Sequence, residues 1–406
     1  MPAGSLRSIT FPKGFRTSGG MCGIKPSGKS DLALIVADGD CSAAGVFTRN
    51  RFPGAPVELS RRHVRGGTAR AIVCNSGIAN VATGEQGRRD ALVMCDAVAQ
   101  LVDCARRDVL VFSTGMIGQP LPMILIDRGI TEQYAKLGRG PAADANAARA
   151  IMTTDLVPKA ARRTVKFGAR TVRIAGIAKG SGMIAPNMAT MLAFVTTDAN
   201  IRSGMLRAAL KHACDHSFNR ISVDHDMSTS DAVTVMASGL AGNRPITAPG
   251  RAFDAFCDAL TDLCRDLAYK IVADGEGATK IFRVAVKGAR SVRDADRVGR
   301  TVAGSQLVKT AVHGGDPNWG RLVAAVGRSG AAVRPDRLTI HIDDICVLDS
   351  EQPMPLSRAL QRKLNRVMTR REMTFTIDLR SGRAQSEWLG CDLSREYVAI
   401  NADYTT

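Results

Sequence analysis

Apolar residues recur along this chain with two different periods, and their alternation predicts strands interleaved with helices. Residues 32–37, 71–74 and 109–113 are short apolar runs of strand length, separated by polar or helical stretches. Between the last two, residues 87–106 carry Leu92, Cys95, Val98, Leu101 and Val102 at the spacing of a helix lying on a sheet. Residues 142–152 predict an Ala-rich helix. Residues 171–177 alternate as a strand does, and 191–195 form a continuous apolar run of the length of a buried one. A helix is expected at 203–217, with Ser203 as its N-cap. The clearest amphipathic helix is 253–273, with Phe253, Phe256, Leu260, Leu263, Leu267 and Ile271 on one stripe. Residues 281–286, 338–347 and 373–379 predict strands, 306–313 and 319–326 helices, and 356–368 a basic amphipathic helix. No internal repeat, low-complexity segment or obvious linker divides the chain.

Composition narrows the class. A chain of 406 residues would ordinarily hold two or three domains, and 45% hydrophobic residues can fill a sizeable core. With 4% aromatic residues and 39 glycines, that core must be aliphatic and its loops tight. No run of 18 apolar residues occurs, so no membrane span is expected. Residues 1–20 lack the apolar centre of a secretory signal. The ten cysteines form no C-x-x-C pair, and Cys257 and Cys264 fall inside a helical apolar pattern, so the expected compartment is the reducing cytosol. The formal charge of +17 raises nucleic-acid binding as a class. The basic residues are dispersed, however, and 4 Tyr and 2 Trp make a poor stacking platform. A solvated basic surface that attracts small carboxylates accounts for the charge with no nucleic-acid partner.

The stretch richest in chemistry lies near the middle: Lys179-Gly-Ser-Gly-Met-Ile-Ala-Pro-Asn-Met-Ala-Thr190. Thr190 is a hydroxyl at the junction of a loop and a core strand, where the strand holds a reacting group firmly. Three readings are open on the residues alone. The stretch can be a tight turn whose glycines supply positive φ. It can cradle phosphate, although Gly180-x-Gly182 lacks P-loop spacing. Or the Thr190 hydroxyl can attack the Ala189 carbonyl, freeing an α-amine that then serves as base for its own hydroxyl.

Other candidates sit at element ends. Asn75-Ser-Gly-Ile-Ala-Asn80 and Ser113-Thr-Gly115 each follow a strand, where open α/β sheets place their chemistry. Thr114-Gly115 also reads as a plain turn, and Thr153 as a capping hydroxyl. Glu276 leaves the 253–273 helix at its C-terminus, the wrong end of the dipole for a carboxylate, which favours a functional reason for it. His212 and His216, with Cys214 and His225, are the best metal candidates, but they form no closed ligand set and no metal is assigned.

The central stretch resembles the self-cleavage motif of the ornithine acetyltransferases (glutamate N-acetyltransferases). The resemblance runs in order through Asn75-Ser-Gly77, Ser113-Thr-Gly-Met-Ile-Gly118, Met152-Thr-Thr-Asp155, Asp224-x-Asp-x-Ser-Thr229, Ala273-Asp-Gly-Glu-Gly-Ala278, Gly315-Asp-Pro-Asn-Trp-Gly-Arg321 and Ile400-Asn-Ala-Asp-Tyr-Thr-Thr406. It implies an α/β (α+β) fold with sheets layered between helices, self-processed so that its nucleophile is an N-terminal threonine. It also implies cleavage between Ala189 and Thr190 into an α chain, 1–189, and a β chain, 190–406, assembled as a heterotetramer of two of each.

By the same resemblance, Thr190 carries an acetyl group from N-acetylornithine to glutamate, and Thr114 and Gly115 form the oxyanion hole. Thr153, Lys179, Thr190, Glu276, Asn401 and Thr406 would bind substrate. No cofactor is implied, and acetyl-CoA is an additional donor in part of the family. Ile78 and His225 depart from the pattern, where Asn and Gly are expected. Two other classes compete: a self-processed aminopeptidase or amidohydrolase with water as acceptor, and a basic nucleic-acid binder with an inert loop.

Overall fold

The structure, a computed structural model, describes residues 7–184, 191–355 and 357–403. Ala189, Thr190 and Thr406 therefore lie outside the described residues, as does the boundary between the two expected chains.

In chain order the N-terminal half holds β1 (Phe15–Gly20), β2 (Leu32–Phe47), α1 (Ala55–His63), β3 (Thr68–Ile78), α2 (Gly84–Val102), β4 (Val109–Met116), α3 (Met123–Ala135), α4 (Pro141–Ala150), β5 (Lys159–Phe167) and β6 (Arg170–Lys179). The second half continues with β7 (Leu192–Thr197), α5 (Ser203–Asp215), β8 (Ile221–Ser222), β9 (Ala232–Ala237), α6 (Arg251–Ala273), β10 (Ile281–Ala289), α7 (Val292–Ala303), α8 (Gln306–Gly314) and α9 (Trp319–Gly327). It closes with β11 (Thr339–Ile342), β12 (Ile345–Asp349), β13 (Gln352–Pro353), α10 (Arg358–Met368), β14 (Glu372–Asp378), β15 (Ala384–Cys391) and α11 (Arg395–Asp403).

Two sheets organise these elements. The first runs β4-β3-β2-β9-β7-β6-β5, with β1 paired to β2; the second runs β13-β12-β11-β14-β10-β15-β8. The apolar runs of the first sheet are continuous because both faces are covered. On β3, Ala71 and Val73 face the layer of α2 and α3, while Ile72 and Cys74 join the layer that holds α4. On β7, Leu192 and Phe194 face one layer, and Ala193 and Val195 face α5 and α6 on the other side. The core of α6 also takes in Ile281 and Cys391 from the second sheet, so this helix lies between the sheets. The expected layering of sheets between helices is the observed one.

Four strands separate β4 from β6 in the first sheet, which would be about 24 Å if the sheet were flat. It is not flat. β2 pairs with β3 along Leu32–Val36 and with β9 along Ser42–Phe47, bending between at exposed Asp38, Gly39 and Asp40. The curl brings β4 against β7, where Phe112 and Phe194 meet with ring centroids 5.1 Å apart.

Two local expectations are corrected. Residues 338–347 form no single strand: β11 and β12 are a hairpin turning at Asp343, whose φ of 50° breaks the run and whose carboxylate accepts the Thr374 N–H. Ser203 is the first residue of α5 rather than its cap; Arg202 takes the cap position and makes no side-chain bond there. Side-chain caps occur instead at Ser291, Asn318 and Ser357.

Candidate active site

β3 and β4 run parallel and in register, pairing Ser76 with Thr114 and Gly77 with Gly115 at their carboxyl ends. Gly115 has φ of 131°, and a Cβ there would stand 2.3 Å from the Gly77 carbonyl carbon. Only glycine permits that approach. The adjacent Thr114 is buried, and its hydroxyl accepts a hydrogen bond from Lys179 Nζ at 2.9 Å. Because Lys179 can only donate, the Thr114 O–H is left to donate elsewhere. Lys179 also donates to Thr153 Oγ1 at 3.0 Å. Burial lowers the Lys179 pKa, opposed by nearby Asp155.

A buried charge network holds this lysine's surroundings. Asp155 accepts from the Gly180 N–H at 2.7 Å, the Thr153 N–H at 3.0 Å and Lys159 Nζ at 2.6 Å. Lys159 reaches on to Asp274 at 2.6 Å. Burial alone would raise the Asp155 pKa, but the Lys159 and Lys179 ammoniums outweigh it and hold the carboxyl below its ordinary value. Asp274 thereby fixes the exit of α6. Its carbonyl accepts from Ser181 Oγ at 2.6 Å, and the Glu276 N–H donates to the Ser181 carbonyl. The Glu276 carboxylate lies directly over Gly182, where a Cβ would come within 2.4 Å of its Cδ, and accepts from Asn401 Nδ2 at 2.9 Å.

The flanks of the central motif are clamped by two further carboxylates. Asp224 accepts from the Met183 and Ile184 N–H groups at 2.5 and 2.8 Å, just before residues 185–190. Asp231 accepts from the Met191 N–H at 2.9 Å, just after them. Burial raises both carboxyl pKa values, that of Asp231 well above the ordinary range. Tyr397 of α11 donates to Asp224 at 3.4 Å.

The structure thus brings Thr114, Thr153 and Lys179 into one hydrogen-bonded group, with Gly115 next to Thr114, and Glu276 with Asn401 into another joined to it through Asp274, Lys159 and Asp155. Asp155, Lys159, Asp224, Asp231 and Asp274 had been given no site role by sequence reasoning. Asp224, Asp155 and Asp274 stood in quoted motifs, but Lys159 lies in a strand of mixed basic residues with nothing to single it out. His212 and His216 stack on each other with centroids 4.1 Å apart. Among the described residues no three His, Cys, Asp or Glu come together to hold a metal ion. His225 packs against Gly304, and Ile78 against the α2–α3 layer.

The model of the ArgJ family matches residues 16–406. An arginine biosynthesis bifunctional protein ArgJ from Symbiobacterium thermophilum is 47% identical over 401 residues, covering 98% of each chain. One from Geobacter sulfurreducens is 46% identical over 394 residues, covering 97% of this chain and 99% of that one. The crystal structure of ArgJ from Bacillus halodurans is 42% identical with a TM-score of 0.50, covering 52% of this chain and 98% of that chain. The chain belongs to the ArgJ family, as do the arginine biosynthesis bifunctional proteins it resembles.

Proposed function

We propose that the protein cuts itself between Ala189 and Thr190 and then moves an acetyl group from N-acetylornithine to glutamate through acetyl-Thr190. The observation that carries the reading is the Lys179 ammonium holding the Thr114 and Thr153 hydroxyls beside Gly115. In cleavage, Thr190 Oγ attacks the Ala189 carbonyl, the peptide C–N bond breaks, and water hydrolyses the resulting ester. The carboxylate clamps on Met183, Ile184 and Met191 hold both flanks of that bond. The solved Bacillus halodurans chain, nearly all of it matched by about half of this one, supports a cut protein.

After cleavage the Thr190 amine takes the proton of its own hydroxyl, whose oxygen attacks the acetyl carbonyl. The developing oxyanion receives the free Thr114 O–H and the Gly115 N–H. Ornithine leaves with the proton from the Thr190 amine. Glutamate's amine then attacks acetyl-Thr190 and releases N-acetylglutamate, a ping-pong cycle. Glu276, braced by Asn401, offers its carboxylate to the substrate's ammonium group, and Thr406 completes the amino-acid site. Lys179 orients both hydroxyls and adds positive charge beside the developing anion. No cofactor enters this scheme, and whether acetyl-CoA also supplies acetyl groups is the open alternative that the second donor in the assay below decides.

The α and β pieces stay together as a heterotetramer of two of each, in the cytosol. No helix among the described residues is long and apolar enough to cross a membrane. Transfer to water, as in an aminopeptidase or amidohydrolase, has less support, since the relatives are arginine-biosynthesis proteins.

Purified protein incubated with glutamate and either N-acetylornithine or acetyl-CoA tests the reading. N-acetylglutamate from the first donor is expected. Ornithine with free acetate instead would indicate hydrolysis, and no product from N-acetylornithine would refute the proposal.

A further inference from the structure

Lys25 belongs to none of the motifs that define the site, yet the fold directs it there. The loop that carries it is clamped by buried Asp31, whose carboxylate accepts the N–H groups of Cys22, Gly23, Ile24 and Lys25 at 2.6, 3.1, 2.7 and 3.0 Å. An exposed turn could leave such groups to water, so four bonds to one buried carboxylate mark a loop held in a fixed pose. The Asp31 carbonyl in turn accepts from the Ser76 N–H at 2.8 Å, tying the loop to β3. The stem of Lys25 lies along Gly77, where a Cβ would stand 3.2 Å from its Cγ. Gly77 is the register partner of Gly115. Nζ then donates to the Ser30 carbonyl at 2.8 Å and to the Met152 carbonyl at 2.7 Å. Met152 immediately precedes Thr153, whose hydroxyl Lys179 holds.

We propose that Lys25 is a positioning residue of the acyl-transfer site: it pins the Thr153 turn against Lys179 and supplies a second positive charge behind the Gly77–Gly115 pair. The inference rests on the acetyl-transfer reading above. Its charge is sensitive to pH. Burial lowers the Lys25 pKa from 10.5 to about 8, with Lys179 adding to the fall and Asp31, Cys74 and Asp155 opposing it. A lysine of depressed pKa loses its proton as pH rises through that value, so the second charge disappears on the alkaline side. The Thr190 amine works in the opposite sense, because it must be unprotonated to accept the hydroxyl's proton, and so it shapes the acid limb.

The test is the pH profile of kcat/KM for acetyl exchange between N-acetylornithine and glutamate, in wild type, Lys25→Arg and Lys25→Met, each shown by mass to be cut. Wild type is expected to lose activity near pH 8 on the alkaline side. Lys25→Arg keeps a charge at all these pH values, so its alkaline limb moves upward. Lys25→Met is expected to fall roughly tenfold or more, mainly in kcat, because misplacing a positioning group is felt in the transition state. If Lys25→Met does not fold, the limb of Lys25→Arg decides. An unmoved limb in Lys25→Arg, or unchanged kcat/KM in Lys25→Met, overturns the proposal. Wild type inactive with both substrates would instead sink the acetyl-transfer reading itself.

Discussion

At the scale of single residues, the site places one hydroxyl where its proton is free to act. Thr114 accepts from Lys179 and keeps its own O–H to donate. Thr114→Ala is therefore expected to lower kcat by roughly 10²–10³, with a smaller change in KM, when measured on the cut fraction. Unchanged kcat in fully processed Thr114→Ala would leave only backbone amides in the oxyanion hole. Asp155 serves a different end, since three donors share its buried carboxylate. Asp155→Asn takes a charge from a buried network and should cost about 3–5 kcal/mol in a denaturant titration at neutral pH. Its folded pKa is held down, so its stabilisation is complete above the ordinary carboxylate value and fades as pH falls through the lower folded value. The gap between wild type and Asp155→Asn should accordingly narrow below about pH 4. Asp231 carries the opposite sign, because burial raises its pKa. Its contribution is complete below the ordinary value and declines as pH rises. Asp231→Asn keeps an acceptor for the Met191 N–H but never ionises. It should match wild type only below about pH 4 and become increasingly the more stable protein as pH rises toward and past neutrality; equal stability at about pH 4 and above neutrality would contradict this account.

At the scale of elements, much of the architecture was legible because the first sheet is buried on both faces. β3, β4 and β7 read as continuous apolar runs for that reason, and α6 by its single apolar stripe. The hairpin of β11 and β12 read as one strand because Asp343 turns the chain by its backbone conformation, which hydrophobicity does not report. β5 gave no strand signal: its basic residues line a half-exposed face, and pairing with β6 rather than its own pattern holds it. α11 is a further lesson. It buries none of its described side chains and meets the site through polar groups, Asn401 to Glu276 and Tyr397 to Asp224. Asn401→Ala should then raise KM for the amino-acid substrate while leaving the melting temperature within about 1 °C, since an exposed polar contact contributes little to global stability. A fall in Tm as large as a core mutation produces would show that α11 is structural instead.

At the scale of the whole molecule, the site is assembled by the curl of the first sheet. Lys179 and Thr114 lie 65 residues and four strands apart yet meet at 2.9 Å. The motif residues were recognisable in the sequence, but the buried links among them were not. Nothing in the pattern around Lys159 indicates that it joins Asp155 to Asp274, because that pairing depends on where β5 and the exit of α6 meet in space. The carboxylate clamps on either side of residues 185–190 likewise come from a distant loop and from the start of β9. These links give the central claim its physical basis: carboxylates hold Met183, Ile184 and Met191 on either side of residues 185–190, and a buried lysine positions the Thr114 hydroxyl. Intact-mass measurement of the purified protein, alone and after N-acetylornithine without glutamate, tests that claim most directly. The account predicts two chains, 1–189 and 190–406, with one acetyl group gained on Thr190 of the second and removed when glutamate is added. A single uncut chain, or a cut chain that gains no acetyl group, would contradict it.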